Sequence, residues 1–239
     1  MLVALATYNE IENLPSLVAA IREQLPTADV LVVDDNSPDG TGRWCDEQAA
    51  AHSWFTVIHR PGKLGLGSAS WTAMQAAIDR GYDQLITLDA DWSHPPEVLP
   101  ALIAAANEQN ADVVIGSRYI PGGTITGWPL SRRLVSGVMN VATRIALGLP
   151  LRDASTAYRL YRVDLLKKID FSKLTATGYA YLEEIAYHLH QVGARFTEVP
   201  INFTDRRAGV SKISAAEALG KAKVLARLTR QRLTRRPPV

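Results

Sequence analysis

The chain has 239 residues, 47% of them hydrophobic and 21% charged, which suits one large α/β domain and leaves no apolar run near the roughly 18 residues of a membrane-spanning helix. Its single Cys45 excludes an internal disulfide and a cysteine metal cluster, and it fits a reducing compartment. The net charge of +2 is uneven, because residues 1–205 carry 16 basic and 23 acidic side chains, whereas residues 206–239 carry 10 basic side chains and one acidic. We expect no signal peptide, since Met1 leads directly into an apolar segment.

The first half of the chain alternates strand-like apolar segments with helical patterns. Strands are predicted at Leu2–Ala6, Val30–Val33, Phe55–His59, Gln84–Leu88 and Val113–Gly116, and helices at Leu14–Leu25, Gly40–Ala51, Ser68–Asp79 and Pro95–Ala106. This alternation predicts an α/β fold with a mainly parallel, doubly wound sheet and right-handed crossovers. Ligands bind such sheets beyond the carboxyl ends of the strands.

The pattern changes after about residue 120. A loop is predicted at Gly122–Pro129, helices at Arg132–Leu147 and Tyr179–Val192, and a strand at Arg195–Val199. The last segment, Ser214–Arg235, is helical in pattern and basic. On that helix one face carries Lys223, Arg227 and Arg230, and another carries Leu219, Ala222, Leu225 and Ala226. Such a helix suits an anionic membrane surface, and a solvated terminal helix is the alternative.

Polar residues follow four of the five predicted strands in the first half. They are Thr7–Glu10, Asp34–Gly40, Asp89–Asp91 and Ser117–Arg118. Because the carboxyl ends of parallel strands share one edge of a sheet, these clusters predict one binding site. The glycine patterns that bind dinucleotides or nucleoside triphosphate phosphates are absent, so phosphate recognition would depend on a metal and on basic side chains.

The pair Asp89 and Asp91 is the most informative of these clusters. Two carboxylates one residue apart repel each other, and a divalent cation removes the repulsion. Mg²⁺ takes carboxylate oxygens and often completes its shell with substrate phosphates. The pair therefore predicts a metal site for a phosphorylated ligand, and a solvated turn is the alternative.

Other candidates have two interpretations each. Asp35 is assigned to ligand contact, whereas Ser37 and Asp39 are assigned to capping of the turn. The glycines of Gly62–Gly67 indicate either close approach to a ligand or a flexible connection. His94 lies near the carboxylates but also near a helix start. The basic candidates for phosphate groups, each of which is otherwise a surface charge, are Arg118, Arg132, Arg133, Arg206 and Lys212.

Taken together and in order, these motifs resemble the family-2 glycosyltransferases of GT-A fold. The segments that carry the resemblance are Thr7–Glu10, Asp34–Gly40, Asp89–Glu97, Gly116–Tyr119, Gly122–Trp128 and Asp205–Lys212. The resemblance covers roughly residues 3–213 and is strongest to the dolichol-phosphate (polyprenol-phosphate) mannose synthases. It implies a GT-A (Rossmann-like) catalytic domain over residues 1–213, followed by a basic C-terminal helix or tail over residues 214–239.

The resemblance also assigns roles to individual residues. Asp89, Asp91 and Ser93 would surround Mg²⁺ or Mn²⁺, with Ala90 beside the nucleotide. Arg118 and Arg132 would take the acceptor phosphate, and Arg206 and Lys212 would hold the donor diphosphate. The nucleoside would contact Ala6, Tyr8, Glu10, Val33 and Asp35. The sequence departs from the family pattern at Ala6, at Ser93 and over Asp153–Arg159.

The function implied is inverting transfer of mannose from GDP-mannose to a polyprenyl phosphate. The expected location is the cytoplasm, peripheral on the cytoplasmic face of a membrane, with a membrane-anchoring subunit as a further expected partner and no nucleic acid. One alternative is another family-2 transferase that uses a UDP-sugar with undecaprenyl phosphate or a polysaccharide. A second alternative is a non-catalytic scaffold that binds a nucleotide sugar.

Overall fold

The structure, a computed structural model, describes residues 1–205 and 215–234. Its main sheet has seven strands in the order β3-β2-β1-β4-β7-β5-β8, and a second sheet pairs β6 with β9. The strands are β1 (Leu2–Thr7), β2 (Asp29–Asp34), β3 (Phe55–His59), β4 (Gln84–Asp89), β5 (Val113–Ser117), β6 (Thr124–Thr126), β7 (Arg159–Arg162), β8 (Phe196–Pro200) and β9 (Asn202–Thr204). All strand pairs are parallel except those of β7 with β4 and β5, which confirms the predicted mainly parallel sheet.

Helices cover both faces of the main sheet. They are α1 (Leu14–Gln24), α2 (Thr41–Ala51), α3 (Leu66–Asp79), α4 (Leu99–Glu108), α5 (Leu130–Leu147), α6 (Val163–Leu166), α7 (Tyr181–Gln191) and α8 (Ala215–Thr234), with 3₁₀ turns at Pro96–Val98 and Phe171–Lys173. The alternation along β1 separates the two layers, since Leu2 and Ala4 pack with α3 and α7, whereas Val3 and Leu5 pack with α1 and α4.

Three sequence expectations need correction. Strand β6 lies inside the predicted loop Gly122–Pro129, and it is held there by its pairing with β9. The helix predicted at Pro95–Ala106 begins as a 3₁₀ turn at Pro96–Val98, and its α-helical part starts only at Leu99. Strand β7 was not predicted, and its antiparallel insertion moves the end of β5 one strand further from β4.

Helix α8 is docked on the body of the protein. Leu228 is fully buried, Lys221 pairs with Glu183 at 2.5 Å, and Arg227 pairs with Glu184. Arg232 donates to the carbonyl oxygens of residues 145 and 146 at the end of α5, at 2.7 and 3.0 Å. The predicted basic face of this segment is therefore partly used for packing. The predicted domain boundary at residues 213 and 214 lies outside the described residues.

None of the described helices is long and apolar enough to cross a lipid bilayer.

Candidate functional site

A cleft of about 240 Å³ opens at the carboxyl ends of β1, β2 and β4. Seven predicted site residues line it: Ala6, Tyr8, Glu10, Asp35, Asp89, Ala90 and Asp91. Its other lining residues are Thr7, Lys63, Gly65, Leu66, Ala69, Gly178 and Tyr179. The three predicted polar clusters that follow these strands thus meet in one place. The Ser117–Arg118 cluster does not line the cleft, because β7 lies between β4 and β5.

Hydrogen bonds tie the loop after β1 to the loop after β2. The Asp34 carboxylate accepts from the Thr7 hydroxyl at 2.9 Å and from the Ser37 backbone N–H at 3.0 Å. The Ser37 hydroxyl in turn accepts from the Asn9 backbone N–H at 2.9 Å, and Asp39 accepts from the Thr41 N–H at the start of α2 at 3.0 Å. Ser37 and Asp39 therefore organise the turn, and they hold the Asn9 segment beside it.

Asp35 is buried beside Arg60, which sequence reasoning overlooked. The Arg60 Nε donates to Asp35 Oδ1 at 2.5 Å, and its other nitrogens donate to the Ser68 hydroxyl at 2.7 Å and the Gly65 carbonyl at 3.2 Å. Within the described residues no hydrogen bond reaches Asp35 Oδ2. One carboxylate oxygen thus fixes the loop before α3, and the other can accept a ligand donor.

The segment after β4 forms a tight turn around the acidic pair. Asp91 is 7% exposed, and its Oδ1 accepts from the Ser93 backbone N–H at 3.1 Å. Between them Trp92 has a φ of +65°, which is unfavourable for a bulky residue. Asn9 and Asn36, after β1 and β2, also have positive φ. Backbone strain therefore lies at the ends of the three strands that form the cleft.

The donor atoms around this turn suit a hard divalent cation. Asp89 and Asp91 both line the cleft, and the buried Ser93 hydroxyl has no hydrogen-bond partner among the described residues. Carboxylate and hydroxyl oxygens are ligands that Mg²⁺ and Mn²⁺ prefer. Residues 1–205 and 215–234 contain no cluster of three or more acidic, histidine or cysteine ligands. The rest of a metal shell would therefore come from substrate and water.

His94 lies directly beneath the acidic turn. It is 1% exposed, and its Nδ1 accepts from the Asp89 backbone N–H at 3.1 Å. A backbone N–H can only donate, so the ring proton is on Nε2, 3.3 Å from the Thr156 hydroxyl oxygen. Burial lowers the pKa of His94 to about 4, which keeps the ring neutral near pH 7. His94 therefore positions Asp89, a role that its sequence neighbourhood had left open.

Glycines close the other side of the cleft by packing against backbone. The Gly67 N–H donates to the Thr177 carbonyl at 2.7 Å, and Gly65 has a φ of +97°. A Cβ at position 67 would lie 2.3 Å from the Ala176 carbonyl oxygen. Close packing against residues 176–177, which adjoin the cleft-lining Gly178, explains Gly65 and Gly67. It does so better than the two interpretations drawn from the sequence, close approach to a ligand and a flexible connection.

Substitution of Gly67 by Ala should distort this wall of the cleft. We expect a loss of about 1–3 kcal/mol in the free energy of unfolding, because the added methyl overpacks a backbone contact, together with weaker binding of a ligand in the cleft. Urea titration and calorimetric binding measure the two effects. Gly62→Ala is the matched control, since a Cβ there has open space within 4 Å. Equal stability and affinity in both variants would contradict the packing argument.

Arg118 lies outside the cleft in a buried ion pair. Its Nε and Nη2 donate to the Asp153 carboxylate at 2.7 and 2.8 Å, and Nη2 also donates to the Ser155 hydroxyl at 2.7 Å. The aromatic rings of Tyr119, Trp128 and Phe203 surround its guanidinium at 5.2–5.6 Å. Nη1 has no hydrogen-bond partner among the described residues. The segment Asp153–Arg159, where the sequence departs from the family pattern, thus supplies the partners of Arg118.

The remaining predicted residues are dispersed. Arg132 is partly exposed, stacks over the Trp128 ring at 3.9 Å and approaches Asp205 at 3.4 Å. Val33 is fully buried in the core, so only its main chain can serve a nucleoside. Arg206 and Lys212 lie outside the described residues.

Sequence reasoning missed Lys63, whose ammonium lies 4.7 Å from the Tyr8 ring centre, although the adjacent glycine run marked the region.

Known proteins with similar sequences are glycosyltransferases. The sequence profile described as "Glycosyl transferase family 2" matches residues 2–170. The undecaprenyl-phosphate mannosyltransferase of Micrococcus luteus is 45% identical over 214 residues, which are 90% of this chain and 87% of that protein. The polyprenol monophosphomannose synthase of Mycolicibacterium smegmatis is 43% identical over 216 residues, covering 90% of this chain and 81% of that protein.

Solved structures share the fold at lower identity. Glucosyl-3-phosphoglycerate synthase from Mycobacterium tuberculosis, solved with Mn²⁺, UDP and glucosyl-3-phosphoglycerate, has a TM-score of 0.67 at 20% identity and covers 96% of this chain and 78% of its own. A mannosyltransferase from Pyrobaculum calidifontis, solved with GDP-mannose and Mn²⁺, has a TM-score of 0.64 at 18% identity and covers 100% of this chain and 65% of its own.

The seven-stranded sheet with its flanking helices is thus a GT-A-like fold, as the sequence resemblance implied. The profile match covers more than half of the chain, and the two relatives cover most of it. The chain belongs to glycosyl transferase family 2, and it is a glycosyltransferase.

Proposed function

We propose that this enzyme transfers mannose from GDP-mannose to a polyprenyl phosphate with inversion at the anomeric carbon. The observation that carries the proposal is the cleft at the carboxyl ends of β1, β2 and β4, in which Asp35 after β2 meets Asp89 and Asp91 after β4. The names of the two relatives, which specify mannosyl transfer and polyprenyl phosphates, support the choice of sugar and acceptor. The proposed location is the cytoplasmic face of a membrane, where such an acceptor is anchored.

Donor recognition would use both sides of the cleft. The nucleoside would lie between the Tyr8 and Glu10 segment and Asp35, whose Oδ2 faces no partner within the described residues. Asp89, Asp91 and the Ser93 hydroxyl would hold Mg²⁺ or Mn²⁺ at the diphosphate, with Ala90 beside it. When bound, the metal would supply charge neutralisation for the departing nucleoside diphosphate. Arg206 and Lys212 are proposed to contact the same diphosphate.

The acceptor supplies its own nucleophile. A phosphate monoester is largely ionised near neutral pH, so its oxygen needs no strong general base. In-line attack forms a bond from this oxygen to the anomeric carbon while the bond to GDP breaks with its electron pair on GDP. An α-linked donor then gives a β-linked product. Arg132 and the Nη1 of Arg118 are proposed to orient the acceptor phosphate.

Ligand-induced stabilisation followed by a transfer assay tests this proposal. We expect GDP-mannose to raise the melting temperature in the presence of Mn²⁺ and to lose that effect with a chelator, because the metal joins donor to protein. Incubation with a polyprenyl phosphate should then give β-linked mannosyl phosphate, identified by NMR. Stabilisation by UDP-glucose but not by GDP-mannose would reverse the donor assignment. Donor binding without transfer to any acceptor would favour a non-catalytic scaffold.

A further inference from the structure

Helix α5 presents its polar side to the protein and its apolar side to solvent. Asn140 and Thr143 are buried, and Asn140 accepts from the Ala154 N–H at 2.9 Å and donates to the Ser155 hydroxyl at 3.0 Å. Six aliphatic residues on the helix are each more than half exposed: Leu130, Leu134, Val135, Val138, Val141 and Ile145. This arrangement is the reverse of an ordinary surface helix of a globular protein.

The six residues form one continuous face, which we call the outer face of α5. At 100° per residue they project within an arc of roughly 140°, along a helix of about 27 Å. Arg133 and Arg144 are exposed along one margin of that arc, and Arg132 lies along the other. The helix contains no acidic residue. An apolar face with cationic margins is the pattern of helices that lie in a membrane interface.

The outer face begins beside the residues proposed for the acceptor phosphate. Arg132, in the first turn of α5, stacks over Trp128 at 3.9 Å. The Trp128 ring lies 5.6 Å from the Arg118 guanidinium carbon. A lipid phosphate at these cations would therefore be next to the apolar end of the helix, with its hydrocarbon chain free to follow the same side of the protein.

We propose that the outer face of α5 docks this enzyme on an anionic lipid bilayer, with the helix parallel to the membrane plane. The aliphatic side chains enter the boundary between headgroups and acyl chains, and the marginal arginines pair with lipid phosphates. The inference rests on the proposed function, because a polyprenyl acceptor is what requires the enzyme to work at a bilayer.

Two other arrangements fit the structure less well. The C-terminal helix α8 uses Leu228, Arg227 and Lys221 for docking on the protein, which leaves it less apolar surface to insert. A second copy of the chain, packed α5 against α5, would bring the arginine margins together without an acidic partner on either helix. A bilayer of anionic lipid can bury the apolar side chains of this face and pair its phosphates with the arginines along the margins.

Co-sedimentation of the full chain with vesicles of equal parts phosphatidylglycerol and phosphatidylcholine tests the proposal, with no donor present. Wild-type protein should bind, and the double variant Leu134→Gln with Val138→Gln should bind at least about tenfold more weakly, because two inserted side chains are lost. The matched control is Leu219→Gln, an equally exposed leucine on α8, which should retain binding. Wild-type protein and Leu219→Gln should both transfer sugar to a short, water-soluble prenyl phosphate, which needs no bilayer.

Three results of the vesicle experiment would overturn the proposal, and a fourth would come from sedimentation velocity. They are no vesicle binding by the wild type, unchanged binding by the double variant, or loss of binding only in Leu219→Gln, which would assign the contact to α8. A vesicle-free dimer in sedimentation velocity that the double variant dissociates would assign the face to a second copy instead. Failure of the proposed function would be seen separately, as vesicle binding without any transfer to the soluble acceptor.

Discussion

Substitution of Asp91 by Asn is expected to lower the rate of sugar transfer by roughly a thousandfold, the scale on which preorganised charge stabilisation contributes to catalysis. The substitution removes one of two carboxylates that line the cleft while keeping the shape of the side chain. The amide oxygen can still accept from the Ser93 N–H, so the tight turn should persist. Steady-state rates with saturating donor, acceptor and Mn²⁺ measure the effect.

A matched substitution separates loss of chemistry from loss of fold. Asp83→Asn makes the same change just before the other end of β4, where the side chain is exposed and far from the cleft. This control should transfer sugar at the wild-type rate, and both variants should melt near the wild-type temperature. If Asp91→Asn turned over at a near-normal rate, the assignment of the acidic pair to a metal and diphosphate would be untenable.

Substitution of Asp153 by Asn should cause the largest loss of stability. It leaves the Arg118 guanidinium buried without a counter-charge, and removal of one partner from such a pair costs about 3–5 kcal/mol. Urea unfolding measures the loss. Asp164→Asn, which removes an exposed ion pair with Lys167, is the control and should leave stability unchanged. A double variant, Arg118→Met with Asp153→Leu, should recover much of the loss because no unpaired charge remains.

The ion pair of Arg118 with Asp153 should also affect how the stability of the protein falls at acidic pH. Burial opposes ionisation of Asp153, but the Arg118 guanidinium more than offsets it and holds the pKa of that carboxyl below its ordinary value. A lowered pKa in the folded state stabilises the protein above the unfolded pKa of about 3.9, and that stabilisation is lost as pH falls through the folded value. Asp153→Asn should therefore flatten the loss of stability below about pH 4. If the stability of the wild type and of Asp153→Asn depended identically on pH below about pH 4, the result would contradict the pairing.

The sequence alone determined the parallel α/β core. The spacing of apolar residues and the residues that begin and end helices are local properties of a sequence, so they can be recognised without the fold. The strand segments Leu2–Ala6, Val30–Val33 and Gln84–Leu88 were predicted within a residue at each end. The acidic clusters that follow them were predicted to share a site, and Asp35, Asp89 and Asp91 do line one cleft. This inference succeeded because the carboxyl ends of neighbouring parallel strands necessarily meet.

Only the tertiary structure decided which distant residues complete the site. Arg60 and Asp153 act through partners 25 and 35 residues away, and such pairings have no local sequence signal. Strand β7 inserts antiparallel between β4 and β5, so Arg118 is separated from the cleft despite its place at a strand end. The direction in which α5 presents its apolar face was likewise decided by the partners of Asn140. The spacing of apolar and polar residues in a sequence predicts an amphipathic helix, but the surface against which the helix packs determines which of its sides meets solvent.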